Sequence, residues 1–463
     1  MFFLMSIKTL DLNTYKQKII VDNATKQEYG EIFTPFSLIE SILNLLPQDI
    51  FSNKNLKWLD AAAGTGYISM IVYKRLLEHL VSQFTSIEEC QDHILKNMMY
   101  YSELQERNIA VLENLFQNNI FKGDFLSITS DSAFDIIITN PPYNTNGPIK
   151  VPTNKTQDKK NDGNSVWFKF IKKCIDLLKP GGHLCAIVPS IWMKPDRQGA
   201  YKFLTAYHID KIHCLDNTET NRVFKQQAQT PTCFFHLIKE PSIQKISLYD
   251  YSLSKYISYL LRENAVIPLF AQSIIVKMQP FLEKTGHIKF HRTNLPRKNV
   301  KIRNKDRRQQ PTKHYPYKNV NTCVLEKCKA KMVFYYSNEP CCFYNNTKLI
   351  LAHKMYGFPY LDKTGECGIS NRDIYVIKDY EIEDLQRWQQ FLSTKTAIYM
   401  YEATRYRMKY LSRYIFELIP DITKLDDFPK DINDETIADY FNFNEIERKA
   451  IKKRHKKTYI SFL

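Results

Sequence analysis

The apolar positions in the first half of the chain form short runs separated by amphipathic stretches. Phe134–Thr139 is apolar and β-branched, as a buried central strand would be, and Leu56–Asp60 and Met98–Glu103 have a similar character. Ile68–Leu80 and Val166–Leu178 instead carry apolar residues at helical spacing. This alternation of strands and helices predicts an α/β domain with a doubly wound, mostly parallel sheet.

Three further apolar runs follow the second of these helices. Lys179–Gly182 contains Pro and two Gly, which predicts a helix stop, and His183–Pro189 then reads as the next strand. Asp210–Leu215 and Thr232–Leu237 are predicted as the closing strands. These runs extend the predicted sheet.

The second half of the chain mixes both periodicities. Short strands are predicted within residues 347–377, a helical pattern runs from Ile382 to about Tyr414, and a small helix is expected at Asp434–Phe441. At 463 residues the chain exceeds one ordinary domain. A second domain of α+β type is therefore expected after the α/β domain.

The chain has 65 basic residues against 49 acidic ones, and the basic residues are concentrated in one segment. The net charge of +16 favours a polyanionic partner over a small acidic metabolite. Residues 284–318 hold twelve Lys and Arg residues against one acid, Asp306. Such a basic segment is often exposed to solvent without a binding role. The more specific hypothesis is that it contacts the phosphates of a nucleic acid. The candidates for contact with a DNA backbone are Lys289, Arg292, Arg297, Lys298, Lys301, Arg303, Arg307 and Arg308.

The ten cysteines occur without a secretory segment or a membrane-spanning apolar stretch. This composition predicts a reduced, cytoplasmic setting with most cysteines in the core. Five cysteines cluster between Cys323 and Cys367, but no Cys-x-x-Cys pair is present, so no metal is expected.

The tetrapeptide Asn140-Pro141-Pro142-Tyr143 follows the central strand, at the sheet edge where such folds bind ligands. The amide oxygen of Asn140 and the carbonyl of Pro141 can accept N–H bonds from a planar exocyclic amine. These hydrogen bonds stabilise the positive charge that develops on the amine nitrogen when it attacks a methyl group. Tyr143 offers a flat face to an aromatic ring. The alternative is a Pro-Pro turn that only ends a strand.

A second group of residues has the layout of a nucleotide-binding unit. Asp60 and Ala61 open a turn that contains Gly64 and Gly66 and leads into a helix. The next predicted strand ends at Glu103, an acid able to bind ribose hydroxyls. Asp124 and Phe125 follow the third strand and suit an adenine amino group and ring.

Together with Gly30-Glu31-Ile32-Phe33-Thr34-Pro35 upstream, this ordered set resembles the class I S-adenosylmethionine-dependent methyltransferases. The motif order is that of the gamma-type DNA adenine-N6 methyltransferases of type II restriction-modification systems. The resemblance implies a Rossmann-like sheet of seven strands with the last one antiparallel. It also implies a methyltransferase domain at residues 29–245 after an N-terminal extension at 1–28, and a target-recognition domain at 246–463.

The resemblance also implies roles for individual residues. Thr34, Pro35, Asp60 and Gly64 would contact the methionine moiety of S-adenosylmethionine, with Ala61 and Gly66 in the same turn. Glu103 (or Glu106) would bind the ribose, and Asp124 with Phe125 the adenine. Asn140, Pro141, Pro142 and Tyr143 would be catalytic, with Tyr143 and Phe224 stacking on the flipped base. Alternatively, Phe224 is a core residue at a strand end, without a role in binding.

The implied activity is methylation of a flipped-out adenine at N6 in double-stranded DNA. The implied partners are DNA and a separately encoded restriction endonuclease, with the chain acting as a monomer. Two alternatives stay open: methylation of RNA or of a protein glutamine, and a non-catalytic DNA-binding specificity subunit.

Overall fold

The computed structural model describes residues 7–9, 34–129, 134–144, 165–224, 230–293, 308–327, 329–352, 358–369, 374–406 and 411–454. The chain divides into two compact units. The first comprises residues 1–249 and 258–265, and the second 250–257 and 266–463. The predicted boundary between a methyltransferase domain at residues 29–245 and a target-recognition domain at 246–463 concerns function, and it stays a prediction.

The largest sheet holds nine strands among the described residues, in the order β3-β2-β1-β4-β5-β7-β6-β8-β9. Its strands are β1 (Trp58–Asp60), β2 (Met99–Glu103), β3 (Ile120–Lys122), β4 (Phe134–Thr139), β5 (Leu178–Pro189), β6 (Tyr207–Leu215), β7 (Thr232–Pro241), β8 (Lys245–Asp250) and β9 (Lys255–Leu260). The first five strands pair in parallel, and β7 is antiparallel to both β5 and β6. The predicted α/β sheet with a late antiparallel strand is therefore confirmed.

Two details of the sheet differ from the expectation. The sheet continues beyond seven strands because β8 alternates buried and exposed residues and pairs in parallel with β6. The preceding helix ends at Leu177, as the Pro and Gly residues predict, but β5 starts at Leu178, so Lys179–Gly182 belongs to the strand that was expected to start at His183. Lys179 donates to Asp135 Oδ1 at 2.8 Å, and a Cβ at Gly182 would lie 3.0 Å from the carbonyl oxygen of Asp135. The Gly is therefore explained by close strand packing.

Helices and short 3-10 turns connect these strands. The helices are α1 (Phe36–Leu43), α2 (Tyr67–Leu80), α3 (Ile87–His93), α4 (Glu106–Phe116), α5 (Trp167–Leu177), α6 (Ala200–Thr205) and α7 (Asn217–Val223). The 3-10 turns are Ile7–Thr9, Gln48–Ser52, Val81–Gln83, Phe125–Ser127 and Ser190–Met193, and Ile94–Met98 is a π turn. The central strand β4 is buried along most of its length, as its apolar run predicts.

The second unit contains two small sheets and several helices. Its strands are β10 (His291–Arg292), β11 (Tyr317–Glu326), β12 (Lys329–Ser337), β13 (Lys348–Leu351), β14 (Tyr360–Asp362), β15 (Gly368–Ile369) and β16 (Tyr375–Ile377). They form the sheets β10-β16-β13-β14 and β12-β11-β15. The helices are α8 (Gln272–Thr285), α9 (Ile382–Ser393), α10 (Lys395–Ala403), α11 (Asp434–Tyr440) and α12 (Glu445–Arg454), with 3-10 turns at Arg413–Leu418 and Ile422–Lys424. The α+β expectation is met.

The prediction of one continuous helix from Ile382 to about Tyr414 was wrong. Thr394 has an extended backbone, with φ −73° and ψ 159°, and it separates α9 from α10. Its side chain accepts a hydrogen bond from the Ala397 amide at 3.2 Å and so caps the second helix. Among the helices that the structure describes, none is both long and apolar enough to cross a membrane.

A buried ion pair joins β13 to β14 in the second unit. Lys348 Nζ lies 2.5 Å from Asp362 Oδ2, and the two side chains are 0% and 2% exposed. Asp362 also accepts the amides of Glu366 and Cys367, while Lys348 donates to the Asn346 carbonyl oxygen at 2.9 Å. Both charges are therefore surrounded by hydrogen bonds, as buried charges must be.

Replacement of Lys348 by Met should destabilise the second unit by about 3–5 kcal/mol, because the Asp362 carboxylate is then left buried and unpaired. Urea unfolding measures the loss. The double variant Lys348→Met/Asp362→Asn should recover part of it because no buried charge remains. The exposed pair between Lys331 and Glu326 provides the control, since Lys331→Met should change stability little. Equal losses in the two Lys variants would contradict this account.

Candidate active site

The register of three parallel strands brings their carboxyl ends together. Asp60 at the end of β1 pairs with Tyr101 of β2 on one side and with Ile138 of β4 on the other. Glu103 and Asn140 therefore emerge at the same edge of the sheet as Asp60. This is the edge at which open α/β sheets bind ligands.

Glu103 holds the glycine turn in place. Its Oε2 accepts the Gly64 amide at 2.8 Å, and its Oε1 accepts the Gln105 amide at 2.8 Å. The Ala63 amide donates to the carbonyl oxygen of Ser102 at 3.0 Å, which ties the turn to β2 a second time. The carboxylate is only 8% exposed. Glu103 is therefore built into the site, and it lines the cavity described below.

The two glycines of the turn are needed for different reasons. Gly64 and Gly66 have φ of +54° and +88°, in the left-handed region that favours Gly. A Cβ at Gly66 would also lie 2.8 Å from the Phe116 ring of α4. Gly66 thus allows α2 and α4 to pack closely, and it does not line the cavity.

Asp60 is a buried acid just below the turn. Its Oδ2 accepts the Ser69 hydroxyl at 2.7 Å, whereas Oδ1 is buried and has no hydrogen-bond partner among the described residues. Burial raises the pKa of this carboxyl to about 7, although the Ser69 hydrogen bond opposes the shift. Asp60 is thus a buried acid that supports the start of α2 through Ser69.

Asp124 and Phe125 follow β3 at the same edge. Asp124 Oδ1 accepts the Leu126 amide at 3.0 Å, which fixes the carboxylate next to Phe125. The Phe125 ring is buried and stacks on Phe170 of α5, with ring centroids 4.7 Å apart. The arrangement places a fixed acid beside an apolar wall.

The tetrapeptide after β4 is held at both ends. Asn140 Nδ2 donates to Thr34 Oγ1 at 3.0 Å. The carbonyl oxygen of Tyr143 accepts the Val166 amide at 3.1 Å, and Asn144 forms a bridge to Ser165. Burial raises the pKa of Tyr143 far above its ordinary value, so its phenol is neutral.

One cavity of about 380 Å³ joins these features, a size suited to a small-molecule ligand. Ten of the thirteen predicted catalytic and cofactor-binding residues line it: Thr34, Ala61, Gly64, Glu103, Asp124, Phe125, Asn140, Pro141, Pro142 and Tyr143. Pro35, Asp60 and Gly66 do not line it but lie next to residues that do. Glu106 begins α4 and does not line it either.

The structure adds lining residues that the sequence did not single out. Phe170 and Asn108 line the cavity from α5 and α4. Phe170 looked like an ordinary core position of an amphipathic helix. Asn108 is a fully buried polar residue within a helix. A buried polar side chain can indicate a binding site, but its burial is seen only in the structure.

Several predicted residues lie away from this cavity. Phe224 ends α7, is 2% exposed and is not among the lining residues. In the second unit the Lys289 amide donates to the Tyr380 hydroxyl at 3.2 Å, Arg292 lies in β10, and the Arg308 guanidinium stacks on Tyr315. The remaining basic candidates, Arg297, Lys298, Lys301, Arg303 and Arg307, lie outside the described residues. In the described part of the chain, no group of three His, Cys, Asp or Glu side chains is arranged to hold a metal ion.

Residues 79–224 match the family model of the Eco57I restriction-modification methylase. The resemblance to restriction-modification methyltransferases is confirmed. The matched segment includes Glu103, Asp124 and the Asn140–Tyr143 tetrapeptide, and thus much of the cavity lining.

The curated proteins to which the chain is similar are methyltransferases, some of restriction-modification systems and some named for other substrates. The type II methyltransferase M.PaeR7I of Pseudomonas aeruginosa is 24% identical over 241 residues, which cover 47% of this chain and 40% of that protein. The release factor glutamine methyltransferase of Shewanella oneidensis is 27% identical over 154 residues, which cover 32% of this chain and 48% of that protein. The chain thus spans less than half the length of these curated relatives.

Among solved structures, the M protein of the type I restriction enzyme EcoKI is 19% identical and covers 48% of each chain, with a TM-score of 0.35. A likeness at that level adds nothing to what the sheet order itself shows. The α/β fold therefore rests on the strand order and pairing described above.

The raised pKa of Asp60 predicts a pH dependence of stability. The ordinary pKa of the carboxyl is 3.8, and burial raises it to about 7 in the folded state. The folded protein therefore binds this proton more tightly than the unfolded chain does. The resulting contribution to folding stability is complete below pH 3.8 and is lost as the pH rises to about 7. A pKa difference of about three corresponds to roughly 4 kcal/mol.

Asp60→Asn should remove this dependence. Urea unfolding between pH 4 and pH 8 should show the parent losing up to roughly 4 kcal/mol relative to the variant across this window. Ser69→Ala removes the hydrogen bond that lowers the pKa, so it should extend the loss to higher pH. Parallel stability curves for the parent and Asp60→Asn would refute the assignment.

Proposed function

We infer that the chain transfers a methyl group from S-adenosylmethionine to the N6 amino group of an adenine in double-stranded DNA. One observation carries the proposal: a single cavity is lined by both the glycine-turn residues and the Asn140–Tyr143 tetrapeptide. A methyl donor and an acceptor nitrogen can therefore lie within one enclosed space. The match to the restriction-modification methylase family supports this assignment.

The cavity residues fit the donor. Glu103 and Asp124 are acids at the ends of neighbouring strands, suited to ribose hydroxyls and an adenine amino group. Both oxygens of Glu103 already accept an amide, but each carboxylate oxygen can accept a second donor. Asp60 as a contact of the methionine moiety stays a prediction, since its side chain does not line the cavity. When bound, S-adenosylmethionine supplies an electrophilic methyl group on its sulfonium.

Asn140 and Pro141 would hold the target nitrogen. An exocyclic amine is a weak nucleophile because its lone pair is delocalised into the ring. Hydrogen bonds from its N–H groups to Asn140 Oδ1 and the Pro141 carbonyl raise electron density on the nitrogen and stabilise the charge that forms. The prolines fix the backbone, so these acceptors are oriented before the substrate arrives.

The target adenine would be flipped out of the duplex, because its amino group cannot reach a cavity from within the base stack. Unstacking costs a few kcal/mol, and stacking on Tyr143 offsets part of this cost. The neutral phenol of Tyr143 suits stacking. Phe224 as the second stacking partner stays a prediction, since its ring is buried at the end of α7.

The charge of the chain favours DNA as the substrate. A net charge of +16 and the basic segment at residues 284–318 supply phosphate contacts, to which Lys289, Arg292 and Arg308 would contribute from the second unit. Residues 246–463 would then form the target-recognition domain. A separately encoded restriction endonuclease, monomeric action and a cytoplasmic setting complete the proposal.

Asn140→Ala tests the central residue. Incubation with labelled S-adenosylmethionine and mixed-sequence duplex DNA, followed by nucleoside analysis, should give N6-methyladenine from the parent. The variant should be slower by about 10²–10³-fold because one preorganised acceptor is lost. Its circular dichroism and its affinity for S-adenosylmethionine should match those of the parent.

Parallel incubations with structured RNA and with a glutamine-containing protein substrate decide between the substrate classes. Label in either substrate and none in DNA would refute DNA as the target while keeping the methyltransferase assignment. Binding of S-adenosylmethionine with no transfer to any substrate would instead favour a non-catalytic specificity subunit.

A further inference from the structure

Thr34 contacts the side chain that the proposed reaction depends on. Its Oγ1 accepts the hydrogen bond from Asn140 Nδ2 at 3.0 Å, across 106 positions of sequence. Thr34 is 6% exposed, and both residues line the same cavity. The bond is therefore shielded from most of the solvent that would otherwise compete for the amide.

The local backbone fixes Thr34 firmly. A residue that precedes a proline is held out of the helical region, and here Pro35 follows directly. The Pro35 carbonyl oxygen accepts the Leu38 amide at 2.9 Å and so starts α1. Phe36 in the first turn of α1 packs edge-on against Tyr67, with ring centroids 5.3 Å apart. Since Tyr67 begins α2 after the glycine turn, Thr34 is held relative to that turn.

In the structure, the nitrogen end of the Asn140 carboxamide faces Thr34. With Nδ2 bound to Thr34 Oγ1, the amide oxygen is turned away from Thr34. The target amine has hydrogens to donate and requires an oxygen acceptor. A carboxamide rotated by half a turn would instead oppose N–H to N–H and lose the acceptor.

We propose that Thr34 is a positioning residue for methyl transfer, whose hydroxyl holds the Asn140 carboxamide with Oδ1 available to the target nitrogen. This role rests on the proposed function and adds to it. The resemblance to known methyltransferases assigns Thr34 only to the methionine moiety of the donor. A pure donor contact would change donor affinity, whereas a positioning role changes the rate of transfer with the donor bound.

Three matched variants separate these roles. Thr34→Val keeps the side-chain shape and removes the hydroxyl, while Thr34→Ser keeps the hydroxyl. Thr139→Val is the control, because Thr139 immediately precedes Asn140 and is 1% exposed, and its hydroxyl has no hydrogen-bond partner within the described ranges. The same chemical change is thus made one residue from the catalytic amide.

Two measurements are made on each full-length variant. The first is the single-turnover rate of label transfer to duplex DNA at saturating S-adenosylmethionine, together with the Kd of the donor. Thr34→Val should slow transfer about tenfold, as expected for one lost hydrogen bond, and should change the Kd less than twofold. Thr34→Ser should recover most of the rate, and Thr139→Val should resemble the parent.

The second measurement is the crystal structure of each Thr34 variant, which reports the Asn140 rotamer without any reaction. The carboxamide should leave its position in Thr34→Val and keep it in Thr34→Ser. An unchanged transfer rate in Thr34→Val, or a loss confined to the Kd, would overturn the positioning role.

A parent enzyme that labels no DNA would overturn the proposed function, and the rotamers then decide the role of Thr34 separately. An Asn140 side chain that stays in place in Thr34→Val would refute the positioning role. A displaced side chain in Thr34→Val, restored in Thr34→Ser, would support it.

Discussion

The parallel pairing of β1 with both β2 and β4 is the constraint on which the rest of the site depends. Parallel strands end at the same edge, so this pairing places Asp60, Glu103 and Asn140 together although they are far apart in sequence. A slip of one residue in this register would move each side chain to the other face of the sheet. The buried apolar side chains of β4 prevent such a slip because they belong in the core.

Periodicity was enough to predict the elements that this constraint uses. Phe134–Thr139 was recovered with the bounds that the structure has, because a continuous apolar run leaves few alternatives to a buried strand. The helix stop predicted at Lys179–Gly182 is confirmed, but the start of β5 at Leu178 was missed because Pro and Gly seldom lie inside strands. β8 and β9 were both missed. β9 is the edge strand and Tyr259 is its one buried residue, so its sequence gives little hydrophobic pattern.

The sequence predicted those site residues that follow directly after a predicted strand. It did not predict the contacts that depend on how the helices pack. Glu103 and Asp124 were found from their positions after apolar runs, and both line the cavity. Gly66 was placed in the cofactor turn, but it does not line the cavity, and a Cβ there would meet the Phe116 ring. No local pattern could reveal that contact, because it depends on how α4 packs. The hydrogen bond between Thr34 and Asn140 is hidden from the sequence for the same reason.

The acids at the ends of β1 and β2 have different environments, and this difference suggests a division of labour. Both oxygens of Glu103 accept backbone amides and hold the turn, so Glu103 is preorganised by the fold itself. Asp60 has one oxygen bound to Ser69 and another buried without a partner among the described residues, and burial raises its pKa. A fold selected only for stability would satisfy that oxygen or replace it with an apolar group. Glu103 lines the cavity whereas Asp60 does not, so Glu103 is the acid of this pair that can meet a ligand directly, and Asp60 lies beneath the turn that Glu103 holds.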